Sequence, residues 1–552
     1  MKRAALAGAV GAGLALCWWG AGLHAALDLR ALANFAHGLL PPDLSPAFLR
    51  VVAVATVRTL GIAIAGTALA IAFGLPLGLL ATPGLWRRGP LVAGERRGPS
   101  AALSWAAGSL ARFLRAVPDL VWALLFVVGF GLGPLPGTLA LGVNTAGVLA
   151  RVYADLFEAV PPGPVLALHA TGASRLQAFA AAIWPQARPS LVAYTLYAFE
   201  CNVRAAAVLG FVGAGGIGQE INLSMRLFEY GQVTTLLATF IALVLITDAA
   251  SRRLRGRFQR NAVHGSGVLR APVEVHARGR TLPALLWMAL LAVAFQQAGF
   301  LDASAPAHLG RFAAQLFPPD LTPGFLAGVI EPLWQTVAIS VVGTALGIAL
   351  GALLAIPAAA TLVLDDRDPA PVPGRAPRMA AYAAARFLLA LLRSIPELIW
   401  VLLCIVAFGV GAFAGAAALG LHTAGVLGKL YAETLEEVPE GPVEELRAIG
   451  ATPLQRLAWA MWPQARETLA SYTLLRWETN LRLSTLVGLV GGGGLGLALY
   501  NDLQLGWYQQ VTTLVLVIYL LVVATDFLAN RLRAPPAPGA APASALDLVT
   551  AG

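Results

Sequence analysis

Four charged side chains stand inside two apolar runs at a spacing that could bind an anion. Glu200 precedes Arg204 by four residues, and Glu478 precedes Arg482 in the same way. Residues four apart share one face of a helix, and the acid before the base is the favourable order for an ion pair. The planar donors of arginine can grip two oxygens of a tetrahedral oxyanion at once. Because charge inside an apolar helix is costly, the pairs either line a polar path or neutralise each other and lock helix packing.

Two asparagines stand beside these charges. Asn202 and Asn480 each follow a glutamate by two residues, so on a straight helix they face away from the acid and the base. We interpret them as further polar residues of the same path. The alternative is that each side chain hydrogen-bonds only to a neighbouring helix.

Two more arginines stand where a long apolar run is interrupted. The segment from Arg115 to Asp119 contains Pro118 and breaks a run of about 33 residues, which is longer than a straight membrane span needs. The segment from Arg393 to Glu397 does the same. A proline-broken helix at matching positions can present the N-terminus of a half-helix to an anion. The alternative is a cytoplasmic helix that ends before the span, with the proline in the next first turn and the acid capping it.

The composition predicts that these residues belong to a membrane protein. Of the 552 residues, 58% are hydrophobic and 12% are charged, against about 25% charged residues in soluble chains. The mean hydropathy is +0.72, and the apolar stretches are about 20 residues long. The net charge of +9 fits basic residues retained on the cytoplasmic side better than a nucleic-acid partner. His169 and His422 are isolated, so no metal site is predicted.

The chain is a tandem duplication. Residues 115–218 align without a gap on residues 393–496, an offset of 278 positions, and about half of the aligned residues are identical. Pro-Pro-Asp-Leu recurs upstream, and Val-Thr-Thr recurs downstream. The predicted domains are a first repeat at 1–253, a basic cytoplasmic linker at 254–280, a second repeat at 281–533 and an Ala/Pro-rich disordered tail at 534–552.

Hydropathy predicts six spans in each repeat, about twelve in all, and therefore an all-α integral membrane fold. An arginine-rich joint follows span 2 and contains Arg87, Arg88, Arg96 and Arg97. The linker between the repeats is a second arginine-rich joint. Basic residues accumulate on the cytoplasmic side, so these joints are predicted to lie there. An even number of spans then places both termini inside and makes the two repeats parallel.

Glycines cluster after the fifth span of each repeat. They superficially match a nucleotide-binding loop, but the Lys-Ser/Thr of a P-loop is missing and a membrane span precedes them, so we reject nucleotide binding. We interpret the cluster as a close-packed turn near an external gate, or as simple helix packing. The gate glycines are Gly213, Gly215, Gly216, Gly491, Gly493 and Gly494.

Between spans 4 and 5 each repeat holds about 30 residues that are too polar and too rich in Pro and Gly to cross a membrane. The pattern predicts a helix, a break at Gly172 or Gly450, a second helix, and a proline start to span 5 at Pro185 or Pro463. Such a cytoplasmic helix pair, present twice, would offer two equivalent docking surfaces.

This segment resembles the coupling-helix motif of ABC importer permeases, in which a Gly lies nine residues before a hydrophobic-x-Leu-Pro end. The acidic start of that motif is retained as Glu444 but is Leu166 in the first repeat. In the family the segment sits in a cleft of the ATPase subunit and transmits its closure. The resemblance implies these coupling residues: Gly163, Ala167, Gly172, Pro185, Gly441, Glu444, Gly450 and Pro463.

Further motifs resemble the phosphonate importer permease. They are Arg-x-x-Pro-acidic-Leu-x-Trp at 115–122 and 393–400, Thr-Ala-Gly-Val-Leu at 145–149 and 423–427, Tyr-Thr-Leu at 194–196 and 472–474, Glu-x-Asn-x-Arg at 200–204 and 478–482, and the glycine cluster at 210–218 and 488–496. That family normally supplies one six-span chain that pairs with itself, so this sequence resembles a fused pair of type I importer halves. The first repeat departs from the usual Tyr-Arg-Trp-Glu at Ala198 and Phe199, and the second at Leu475.

The resemblance implies a permease subunit that moves phosphonate, or a related oxyanion such as phosphite or phosphate, into the cytoplasm. Expected partners are ABC ATPase subunits, two by the number of docking segments, a periplasmic substrate-binding protein and the lipid bilayer. The chain itself would hold no catalytic residue, metal or cofactor, and would cross the bacterial inner (plasma) membrane many times with both termini cytoplasmic. Its substrate path would comprise Glu200, Asn202, Arg204, Glu478, Asn480, Arg482, Arg115 and Arg393.

Two other classes of protein share some of these features. A proton-coupled secondary transporter of the major facilitator type also has twelve spans in two parallel halves, but it gives no reason for the paired cytoplasmic helix breaks. A non-transporting membrane scaffold would leave the four intramembrane charges unexplained.

Overall fold

A computed structural model describes residues 11–19, 29–86, 99–263, 289, 291–299, 314–363 and 375–532. The regular secondary structure of these residues is helical. The predicted tail, most of the predicted linker, the four joint arginines at 87–97 and parts of the first predicted span of each repeat lie outside the described residues.

The two repeats give corresponding series of helices. In the first repeat these are α1 (Pro46–Ala81), α2 (Pro99–Ala116), α3 (Asp119–Phe130), α4 (Pro134–Glu158), α5 (Pro162–Ala170), α6 (Trp184–Leu209), α7 (Ile217–Arg226) and α8 (Tyr230–Val263). In the second they are α9 (Pro323–Ala358), α10 (Arg375–Ser394), α11 (Glu397–Phe408), α12 (Ala412–Glu436), α13 (Glu440–Ala448), α14 (Trp462–Val487), α15 (Gly494–Gln504) and α16 (Tyr508–Leu532).

The lengths of these helices fit a protein that spans a membrane many times. Within the described ranges, six helices are long and apolar enough to cross a bilayer, and three bent helix pairs raise the number to nine if each pair is one span. The two 36-residue helices α1 and α9 would each extend about 54 Å, well beyond the apolar core of about 30 Å. The all-α membrane fold predicted from the sequence is confirmed.

The chain divides into two compact units whose bounds differ from those of the repeats. One unit is His37–Gln315, and the other joins Met1–Ala36 to Leu316–Gly552. In the helical segment 11–19, Trp18 packs edge-on against Phe413, with ring centroids 5.5 Å apart. In the segment 291–299, Ala294 and Ala298 are buried against Ala65 of α1. The repeats describe how the sequence is duplicated, whereas the units describe how the helices pack.

Small residues bring the longest helices of each unit close together. A Cβ atom placed on Gly78 of α1 would lie 2.9 Å from the carbonyl oxygen of Ala150 in α4. In the other unit, a Cβ on Gly351 of α9 would lie 3.1 Å from the carbonyl oxygen of Ala424 in α12. Membrane helices associate through such close backbone approach because lipid gives no hydrophobic drive between them.

The recurring Pro-Pro-Asp-Leu and Val-Thr-Thr motifs bind one another. The Thr235 hydroxyl donates to the carbonyl oxygen of Asp43 at 2.8 Å, and the Thr513 hydroxyl donates to that of Asp320 at 2.7 Å. The backbone N–H and the hydroxyl of Ser45 donate to the Asp43 carboxylate and hold its pKa below the usual range. Each motif pair therefore fastens the loop before the long helix α1 or α9 to the start of α8 or α16.

Candidate functional site

Each repeat contains two helices that meet at a sharp bend. The axes of α2 and α3 differ by 86°, and those of α10 and α11 by 99°. The side chain of Asn144 donates to the carbonyl oxygen of Val117 in the first break, at 2.9 Å. Asn144 is the eleventh residue of α4, so it lies about 15 Å from the start of that helix. The bend itself is shown, and its place within the membrane or at the membrane surface stays a prediction.

The break has the same local construction in both repeats. The indole N–H of Trp122 donates to the carbonyl oxygen of Leu114 at 3.2 Å, and that of Trp400 donates to Leu392 at 3.1 Å. The Asp119 carboxylate accepts the N–H of Leu120, so the acid caps its own helix. Arg115 and Arg393, which were predicted for the path, end α2 and α10 at the break and are half-buried.

The predicted ion pair of the first repeat is replaced by a tertiary one. Glu200 pairs with Arg255 of α8, with Oε1 and Nη2 3.0 Å apart, and both side chains are largely buried. Arg204 instead directs Nη2 towards the sulfur of Cys201 at 3.8 Å. A self-neutralising pair was one of the two interpretations from the sequence; the structure places Arg255 in hydrogen-bonding contact with the Glu200 carboxylate, because α8 packs beside α6.

The second repeat forms the pair that the spacing predicts. Arg482 Nη2 lies 2.6 Å from Glu478 Oε1 on the same helix, and 3.9 Å from Asp526 Oδ1 of α16. The two repeats thus neutralise the same glutamate position with arginines from different helices.

Truncating Arg255 should strongly destabilise the unit His37–Gln315. Arg255→Ala would leave the Glu200 carboxylate, with 6% of its side chain exposed, without its cation, and removing one partner of a buried pair typically costs about 3–5 kcal/mol. We expect a large fall in the thermal unfolding midpoint of the detergent-purified chain. The double variant Glu200→Leu/Arg255→Leu removes both charges and should unfold close to the parent. A single variant as stable as the parent would show that the pair contributes nothing.

Both asparagines clamp three helices together. The Asn202 amide donates to the hydroxyl of Thr67 in α1, and its oxygen accepts from Thr145 in α4, each at 2.9 Å. Asn480 makes the corresponding bonds to Thr344 and Thr423, at 2.9 and 3.1 Å. The structure thus shows the interhelical bonding that the sequence left open, and contact with a substrate stays a prediction.

A charged cluster lies at the break of the second repeat. His422 Nε2 is 3.1 Å from Glu397 Oε1, and its Nδ1 is 3.1 Å from the carbonyl oxygen of Ile395. Arg476 of α14 places Nη2 3.8 Å from the same Glu397 oxygen. His422 is therefore not isolated, as the sequence suggested, although in the part of the chain that the structure describes no three His, Cys, Asp or Glu residues could hold a metal ion. The feature of the sequence that could have revealed this cluster is the difference between the two repeats at His422 and at Arg476.

The glycine clusters form tight turns that are fastened to the longest helix of each unit. All six gate glycines have positive φ angles, between 74° and 102°. After the turn, the N–H of Ile217 donates to the Thr59 hydroxyl at 2.9 Å, and that of Leu495 donates to Thr336 at 2.8 Å. A Cβ on Gly216 would lie 2.4 Å from the Thr59 oxygen, so glycine is required by both conformation and space. The close-packed turn is confirmed, and its role as a gate stays a prediction.

The segment between α4 and α6 has the predicted helix, break and helix. Gly172 ends α5 with φ of 84°, and Gly450 ends α13 with φ of 81°. Ser174 and Thr452 then open the second helix with capping boxes, and one π turn joins it to α6 or α14. All eight predicted coupling residues are exposed: Gly163, Ala167, Gly172, Pro185, Gly441, Glu444, Gly450 and Pro463.

The two exposed helices differ in charge. Helix α5 has no acidic or basic residue other than His169, whereas α13 carries Glu440, Glu444, Glu445 and Arg447. Leu166 stands with 53% of its surface exposed at the position of Glu444. The surfaces share a backbone shape and differ in their chemistry.

Comparison with known proteins assigns these features to a class. The family model described as "Binding-protein-dependent transport system inner membrane component" matches residues 89–260 and 374–534. A relative from Mycolicibacterium smegmatis, "Phosphate-import permease protein PhnE", is 33% identical over 509 residues, covering 90% of this chain and 87% of the relative. "Phosphite transport system permease protein PtxC" of Stutzerimonas stutzeri is 39% identical over 239 residues, or 43% of this chain and 82% of the relative.

Among solved structures, an inward-facing MetNI methionine ABC transporter chain has a TM-score of 0.33 at 24% identity, covering 38% of this chain and 97% of that chain. The broken spans, the paired exposed helices and the two matches to the family model together define a multi-pass permease built from two halves. The chain belongs to the binding-protein-dependent transport system inner membrane components, the permease subunits of ABC importers. Nothing in the comparisons supports the major-facilitator alternative.

Proposed function

We propose that this chain is the membrane path for a phosphorus oxyanion that enters the cytoplasm of a bacterium. The observation that carries the proposal is the match over 90% of the chain to a phosphate-import permease, supported by the similarity to a phosphite permease. The intramembrane arginines of both repeats suit an anionic substrate, since a guanidinium binds two oxygens of a tetrahedral group. Phosphonate, phosphite and phosphate share that group.

The partners follow from the exposed segments of each repeat. Two docking segments, at 162–186 and 440–464, would bind two ATPase subunits on the cytoplasmic side, where both termini would also lie. A periplasmic binding protein would deliver the substrate near the glycine turns, which would act as external gates. The chain would supply no catalytic group and no cofactor, so the energy would come from ATP hydrolysis in the partners. The sequence repeats at 1–253 and 281–533 would supply the two halves of the path.

Within the membrane, the proposed path contains the broken helices and the charged faces of α6 and α14. Charged residues in spans by default mark polar interiors rather than lipid-facing surfaces. The proposed contributors are the path residues predicted from the sequence: Arg115, Glu200, Asn202, Arg204, Arg393, Glu478, Asn480 and Arg482.

Uptake by proteoliposomes that contain the chain, its ATPase and its binding protein tests this function. We expect ATP-dependent accumulation of phosphite, phosphate or methylphosphonate that vanadate reduces to background, because vanadate traps the ATPase. A protonophore should leave uptake unchanged. Uptake that requires no ATP and disappears only with the protonophore would contradict the importer. The absence of accumulation for every one of the three anions would contradict it as well.

A further inference from the structure

The two repeats differ in charge at one position of the helix that packs beside the break. Arg476 of α14 corresponds to Ala198 of α6, at the constant offset of 278 residues. The neighbouring residue of the cluster, His422, corresponds to Asn144. The second repeat therefore has a guanidinium beside its helix break, and the first repeat has a methyl group in the same place.

The guanidinium of Arg476 retains hydrogen-bonding capacity. Its Nε donates to the hydroxyl of Thr423 at 3.4 Å, and its Nη2 makes no hydrogen bond although it is buried. Glu397, its counter-charge, is 3.8 Å from Nη2 but only 3.1 Å from His422. The carboxylate is thus shared and lies closer to the imidazole. An arginine has five N–H donors, and a buried donor without an acceptor is costly, so this group favours an additional acceptor.

The position of Arg476 on α14 matches a polar path. Arg476, Thr479 and Arg482 recur at spacings of three residues, and all three are partly exposed, whereas Glu478 and Asn480 are buried. Positions spaced by three and four share one helix face. A partly exposed helix face that carries arginines within the membrane lines an aqueous or polar space, because lipid cannot solvate it. Both arginines keep one buried donor without a hydrogen bond, but Arg482 lies 2.6 Å from its own carboxylate, Glu478, whereas Arg476 lies 3.8 Å from Glu397.

We propose that Arg476 binds the phosphorus oxyanion during its passage, so that the second repeat supplies an anion contact that the first repeat lacks at Ala198. This inference rests on the proposed function and adds the residue and the half of the chain that carry the contact. Glu397 and Thr423 position the guanidinium, and the unused Nη2 donor supplies the bond to an anion oxygen.

Kinetics of ATP-driven uptake in the complete proteoliposome system test the assignment, with phosphite, phosphate and methylphosphonate each used as probe. We expect Arg476→Gln to lower uptake of the transported anion at least tenfold, while the loaded binding protein still stimulates ATP hydrolysis. Arg476→Lys, which keeps the charge but loses the fork of donors, should transport with a KM raised severalfold. Ser484→Ala is the matched control on the same helix, because its hydroxyl bonds within α14, to the carbonyl oxygen of Leu481, and it should transport like the parent.

A relocated arginine separates a substrate contact from a structural role. The double variant Ala198→Arg/Arg476→Gln should recover part of the lost uptake, since it returns one guanidinium to the equivalent place in the other repeat. Uptake within twofold of the parent for Arg476→Gln would overturn the proposal. If that variant does not fold, an unchanged KM for Arg476→Lys would overturn it. A parent complex that accumulates none of the three anions would instead defeat the proposed function.

Discussion

Leucine in place of Gly450 should abolish ATP-driven uptake while the chain stays folded. Gly450 is exposed at the end of α13 with φ of 81°, and a Cβ atom there would meet nothing within 4 Å. A side chain would therefore cost only the strain of the left-handed conformation, about 1–2 kcal/mol. Under the proposed docking role, it would also project from the segment at 440–464 towards the ATPase subunit and separate the two proteins. We expect uptake to fall at least tenfold and the ATPase to be lost from affinity purifications of the tagged chain.

The matched control for this prediction is Gly506→Leu. Gly506 also has a positive φ, 74°, and also has free space around its Cβ position, but it lies between α15 and α16, away from the docking segments. The conformational strain is thus the same and the location differs. If Gly450→Leu still bound its ATPase and transported like Gly506→Leu, the docking assignment would be wrong. Gly172→Leu tests the first repeat in the same way and shows whether the uncharged α5 contributes equally.

Alanine in place of Gly496 should prevent the folding of the unit that contains Leu316–Gly552. The added Cβ would lie 1.9 Å from the carbonyl oxygen of Thr485 in α14, far inside van der Waals contact. The atom it meets belongs to the backbone of a buried helix, so no side-chain rotation can relieve the overlap. Overpacking costs about 1–3 kcal/mol where neighbours can shift. We expect more than that here, seen as a loss of monodisperse chain after detergent extraction.

Gly324→Ala provides the control for that experiment. Gly324 lies in the first turn of α9, has an ordinary helical φ, and would place its Cβ in open space. It should extract and unfold like the parent. Gly218→Ala should fail as Gly496→Ala does, because its Cβ would lie 1.7 Å from the carbonyl oxygen of Ala207. A well-behaved Gly496→Ala chain would mean that the turns after α6 and α14 are not fixed by close packing.

Features that depend on neighbours along the chain could be predicted from the amino-acid sequence. The duplication, the membrane spans and the helix–break–helix docking segments follow from periodicity, hydropathy and turn chemistry within a few residues. The pair of Glu478 and Arg482 belongs to the same group, because residues four apart on a helix meet whatever packs around them. The family resemblance adds the expectation of an importer, and the comparisons confirm it.

The contacts between groups that are far apart in the chain became visible in the folded protein. Glu200 binds Arg255, 55 residues away, and Thr235 binds the carbonyl oxygen of Asp43, 192 residues away. The helical segment 11–19 packs with the second repeat, as the contact of Trp18 with Phe413 shows. Two repeats that share about half of their residues place the same glutamate against different arginines, because each contact depends on which helix packs alongside. Such contacts depend on the approach and rotation of whole helices, and the local pattern of residues does not contain that information.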